Sequence, residues 1–148
     1  MKTTLYTIII AFLLNTAFSA GSATDKKTNY GKEYKSAIKL IKKSKYDDAI
    51  DKLMALVDVD TTDFTKADVF NEIGFAYRKS QDFDNASKYY DKALKLDPNH
   101  LGALEYQGEM YVDLGQKENA LANLEKLRNL VGEKDSYFKE LNNYISKN

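Results

Sequence analysis

The chain has 148 residues, and its 22 basic side chains balance 22 acidic ones to a net charge of zero. That length supports one domain around one continuous core, and the charge balance gives no bulk attraction to nucleic acid. With no cysteine among these residues, disulfides and thiolate metal sites are excluded, and the fold holds by packing alone.

At the amino end, Lys2 precedes an apolar run from Leu5 to Leu14, and small residues follow at Ala17, Ser19 and Ala20. A positive start, a short apolar stretch and a small-residue boundary are the layout of a secretory signal over residues 1–20. The expected location is therefore outside the cytoplasm, most simply the periplasm. No charged residue occurs between Thr3 and Thr24, so a leader retained as a membrane anchor is the alternative. Residues 21–29 are polar and read as a flexible lead-in.

From Tyr30 onward the apolar positions take helical spacing. Tyr34, Ala37, Ile38 and Ile41 share one side of the first helix, opposite Lys32, Lys35, Lys39, Lys42 and Lys43. A lysine stripe of this kind is the solvated face of a helix. The functional alternative is peripheral docking to anionic lipid headgroups or to an acidic partner. A second helix opens around Ala49, and an acidic connection follows in Asp58-Val59-Asp60-Thr61-Thr62-Asp63.

Beyond it, Gly74, Tyr77 and Ala86 return 34 positions later as Gly108, Tyr111 and Ala120. A fixed period of that length is the mark of stacked helical hairpins. Glycine in a helix interior costs about 1 kcal/mol relative to alanine, so Gly74 and Gly108 imply a close approach of the antiparallel second helix. Ala86 and Ala93 are the expected small residues at that crossing, with Tyr77 and Tyr90 filling the space on either side. Pro98 ends the hairpin at Asp97. After Gly132, residues Tyr137, Phe138, Leu141, Tyr144 and Ile145 form a one-sided apolar helix, which suits a cap over the last hairpin.

The run Phe70-x-x-Ile73-Gly74-x-x-Tyr77, followed by Ala86, Tyr90, Ala93 and Pro98, resembles a complete tetratricopeptide repeat over residues 67–100. The third unit keeps Leu104, Gly108, Tyr111, Ala120, Leu124 and Leu127, with Gln107 where a large apolar residue is usual. The first departs further: Ala37 stands in for glycine, Leu40 for tyrosine, and three extra residues separate it from the next unit. The resemblance implies an all-α, right-handed α-solenoid over residues 30–147. Its hairpins would span about 30–63, 67–100 and 101–130, with the cap helix at 135–147.

Catalytic signals are weak. His100 is the lone histidine and lies at a helix start, with no second histidine or cysteine to complete a set. Asp58, Asp60 and Asp63 lack the hinge glycine of a calcium loop, and Val69 stands where its closing carboxylate would be. No glycine-rich phosphate loop or nucleophile elbow occurs. The expectation is a non-enzymatic protein with no cofactor and no metal.

Function then rests on the surface of the array. Projecting the groove-facing places of similar repeats onto this chain gives Tyr34 and Ile38, with Ile41, from the first unit. The second contributes Asn71, Phe75 and Arg78, and the third Glu105, Tyr106 and Glu109. Ile38 and Ile41 have packing between neighbouring first helices as their alternative role. The implied function is an exported adaptor that holds a peptide or helix of a protein partner in its concave groove. A structural scaffold, self-assembled or anchored at the membrane, is the alternative. The carboxylate-gripping subclass of these repeats is not implied, because Tyr34 and Ile38 occupy its lysine and asparagine places.

Overall fold

A computed structural model describes residues 28–148. The leader expected over residues 1–20, and residues 21–27 of the lead-in, lie outside the described residues. Seven helices and no strands make up the rest: α1 Tyr30–Lys42, α2 Tyr46–Met54, α3 Lys66–Lys79, α4 Phe83–Leu96, α5 Leu101–Asp113, α6 Lys117–Val131 and α7 Ser136–Lys147. The expected all-α class is the one observed. Each helix packs on the next in chain order, α3 also meets α5, and α7 lies against both α5 and α6.

Local chemistry sets the helix starts. Asn29 accepts from the Lys32 amide at 2.8 Å, and Asp82 accepts from that of Asn85 at 3.1 Å. Thr65 and Asp68 form a reciprocal capping box at α3, and Asp135 accepts from the Tyr137 amide at the cap helix. Each such side chain satisfies one of the amides that a helix start leaves unpaired.

The turn inside each hairpin is built the same way three times. Ser44, Gln81 and Gly115 have φ of 57°, 66° and 71°. The next residue's amide reaches back across the turn, Lys45 to the Leu40 carbonyl, Asp82 to Tyr77 and Gln116 to Tyr111. A left-handed residue with this back-bond is a common way to end a helix. The first hairpin thus turns like the others, although Leu40 and Ser44 replace the tyrosine and glycine of the third.

The core runs through the stack in three adjoining clusters. Ala37, Ile41, Ala49, Leu53, Val69 and Ile73 join the first hairpin to α3. Ala86, Tyr90 and Met110 bridge α4 and α5, and Leu104, Leu124, Leu127, Phe138, Leu141 and Ile145 seat the cap.

The two mid-helix glycines differ from expectation. A methyl carbon on Gly74 would lie 2.8 Å from Cδ1 of the buried Tyr90 ring, so this glycine admits a large ring, not a small side chain. Ala86 and Ala93 are fully buried but are not what crowds Gly74. On Gly108 the same methyl would come within 2.6 Å of Leu141 Cδ2, which belongs to α7. The third hairpin therefore keeps its glycine for the cap helix and not for its own second helix.

Candidate functional site

The first helices of the hairpins and the cap helix supply one face. Tyr34 of α1 stacks on Phe64 with ring centroids 4.8 Å apart and planes at 18°. Phe75 of α3 and Tyr106 of α5 meet at 4.5 Å. Tyr34, Phe75 and Tyr106 are each half-buried, which leaves part of every ring open to solvent. Ile38 is half-buried against the first core cluster, and Ile41 is a buried core residue, so packing accounts for both.

Arg78, a groove-facing position by its register, is not an open cation. It is 6% exposed; Nε donates to Asp113 Oδ2 at 2.7 Å, and Nη1 pairs with Glu109. Its guanidinium carbon lies 5.2 Å from the Tyr144 ring centroid, and the Tyr144 hydroxyl donates to Asp113 Oδ1 at 2.6 Å. Arg78 thus fastens α3 to α5 and, through Tyr144, to the cap. Burial opposes its charge, but Glu109 and Asp113 raise its already high pKa further. Burial also raises the carboxyl of Glu109, with Arg78 pulling the other way.

With Arg78 matched, the rest of the face is acidic. Glu105 is 6% exposed and has no hydrogen-bond or ion-pair partner among the described residues. Burial, then the charges of Glu109 and Glu140, push its carboxyl up to about 8. Glu72 is pushed up to about 7 by burial and then by Asp68. Asp68 is itself matched: burial works against its charge, yet bonds from Thr65 and His100 hold its carboxyl below the usual range. His100 joins two helix starts, with Nε2 3.0 Å from Asp68 Oδ1 and Nδ1 accepting from the Ala103 amide. That is a capping role.

Asn71 is 4% exposed; Nδ2 lies 3.4 Å from Glu72 Oε1, and Oδ1 has no partner among the described residues. The same amide nitrogen is 3.2 Å from where a side chain on Gly102 would begin. Asn71 and Glu72 hold the same register positions as Glu105 and Tyr106, one repeat earlier. Glu72 was missed in the sequence, although the 34-residue register carries Tyr106 back onto it. Tyr137 was missed because the cap was read as packing alone. Burial first, then Glu105 and also Glu72, raise its hydroxyl, and the same two carboxylates act on Tyr106.

No described helix is long and apolar enough to cross a membrane. Among the described residues, no group of three histidine, cysteine or carboxylate side chains is arranged to hold a metal ion.

These features define an all-helical protein of stacked hairpins. Residues 67–100, which take in nearly all of α3 and the whole of α4, match the family model of the tetratricopeptide repeat. It is 37% identical over 75 residues to the uncharacterized protein ycf37 of Guillardia theta, a match that takes in 51% of this chain. The chain spans about a third (35%) of the length of that curated relative. Its fold is similar to that of PcrH in a crystal structure with the chaperone binding region of PopB. The TM-score is 0.63 at 19% identity, over 80% of this chain and 92% of the other.

Proposed function

We propose that this chain is an exported, non-enzymatic adaptor that holds one peptide or helical segment of a partner protein across α1, α3 and α5. The observation that carries the reading is the set of part-open rings Tyr34, Phe75 and Tyr106 on first helices, beside carboxylates that no internal cation neutralises. Rings of this kind supply rigid contact area for a bound segment. The similar PcrH fold was solved with a binding region of another protein, which supports a protein partner here. Export rests on the leader-like residues 1–20, and the mass of the native amino terminus tests it.

The groove is tested by recovery of partners from an envelope fraction with wild type and a Phe75→Ala, Tyr106→Ala variant. Loss of a specific partner is expected, and equal recovery of every partner would exclude this face. A second reading, self-association, is favoured by Leu121, Leu130 and Val131, which are exposed on α6. Sedimentation across concentrations decides that one, since a constant monomer counts against it.

A further inference from the structure

The acidic part of the face has a construction that stacking does not explain. Glu105 is 6% exposed as a residue, nothing among the described residues bonds to its carboxylate, and the carboxylate oxygens are not sealed from solvent. A largely buried carboxylate that meets only solvent gains when a charged donor arrives. Asn71 on the neighbouring first helix supplies an independent sign, because its buried Oδ1 is an acceptor without a donor among the described residues. The nearby cation, Arg78, is already held by Glu109 and Asp113, and His100 and Thr65 occupy Asp68. Lys42 reaches Glu72 only through space and stands on the exposed side of α1.

We propose that the bound partner inserts one lysine or arginine side chain between α3 and α5, where Glu105, Glu72 and the Asn71 amide oxygen receive its N–H groups. The inference rests on the groove reading above and names the chemistry the groove selects. Tyr106 packs on Phe75, and the hydroxyls of Tyr106 and Tyr137 lie within electrostatic reach of both glutamates. A cation over an aromatic face is attracted by the ring's quadrupole, and charge-assisted bonds to carboxylates are the stronger class of hydrogen bond. An arriving cation supplies the charge partner that Glu105 lacks among the described residues. An unpaired neutral peptide would leave Glu105 as costly as before.

The test is selection from a random 12-residue phage-displayed peptide library on the full chain. Enriched peptides are expected to share a lysine or arginine at one aligned position. Replacing that residue by citrulline or norleucine in the synthetic peptide should weaken binding at least tenfold. Glu105→Gln should produce the same loss for the parent peptide and no further loss for the neutral one. Because Gln matches the shape of the protonated carboxyl that burial favours at both positions, Glu105→Gln and Glu72→Gln should melt no lower than wild type. Asn71→Leu, of similar volume, is the second variant, with a severalfold loss expected.

Enriched peptides without a shared cation would overturn the socket and leave the groove standing. A cation preference that survives Glu72→Gln, Glu105→Gln and Asn71→Leu would place the site elsewhere. No enrichment at all would overturn both.

Discussion

The second and third hairpins carry the same motif 34 residues apart and use it differently. In the second, Gly74 receives Tyr90 from its own partner helix, and Ile73 beside it is fully buried. In the third, Leu124 stands in the register of Tyr90, and Gly108 receives Leu141 of the cap. Gln107 replaces Ile73 and is just as enclosed, at 4% exposure. It is tolerated because its amide donates to Asp91 at 2.9 Å and accepts from Asn123 at 3.1 Å. Asn123 in turn stands where the second hairpin has Tyr89. One hairpin closes on itself with an aromatic ring, while the other is finished by its neighbours. A motif therefore fixes where close contact occurs, and the surrounding sequence decides with whom.

The sharpest way to break this contrast is at Arg78, whose register twin is the half-buried Val112. Arg78→Ala leaves Glu109 and Asp113 without their cation, and breaking a buried pair from one side costs about 3–5 kcal/mol. A large drop in the midpoint of urea unfolding is expected, with loosening of α7 visible in amide exchange. Val112→Ala should cost far less.

Next come the glycines. Gly74→Ala drives a methyl into a ring that has no room to move, so a loss of about 1–3 kcal/mol in thermal stability is expected. Gly108→Ala meets the terminal methyls of Leu141, also buried but turned more easily than a ring, so its loss should be smaller and confined to exchange protection in α7. A Gly108→Ala variant that unfolds the whole domain would show that the two contacts are equivalent after all.

Proton linkage probes the first-helix face that both hairpins share. Glu72 and Glu105 keep their protons in the fold to about 7 and about 8, above the 4.5 they take in the unfolded chain. The native state then holds more protons, so stability is full below about 4.5 and falls as pH rises through about 8. The decline should be on the order of 5 kcal/mol between pH 5 and pH 8.5. Glu105→Gln should flatten most of it in melting curves across pH.

The smallest effect is at the hairpin turn. Gln81 takes the left-handed conformation that Gly115 adopts without a side chain. Gln81→Gly should relieve strain of about 1 kcal/mol, partly offset by unfolded-chain entropy. A small rise in melting temperature is expected, and a fall would mean that Gln81 makes a contact worth more than its strain.

Much of the fold was legible because it is written as repetition. Gly74 and Gly108, Tyr77 and Tyr111, and Ala86 and Ala120 mark one register, and hairpin stacking follows from any array with that period. The left-handed turn was less visible, since Ser44 and Gln81 hide a position that only Gly115 advertises. The site was legible in position and not in state. Phe75, Tyr106 and Glu105 share one face, but no sequence rule reports that Arg78 is claimed by Glu109 and Asp113 from the next hairpin. Those partners lie 31 and 35 residues away, and pairing at that distance depends on how units stack.

Asp63 closes the account of the first hairpin. Its carboxylate accepts the Gly31 amide at 3.1 Å, so the opening turn of α1 is completed by a residue 32 positions further on. Asn29 holds the start of α1 from within the helix's own sequence, and Asp63 adds a second hold from the connection to the next hairpin. The first helix is thus tied to the entrance of the second hairpin, and removing the Asp63 carboxylate would leave its start fastened from one side.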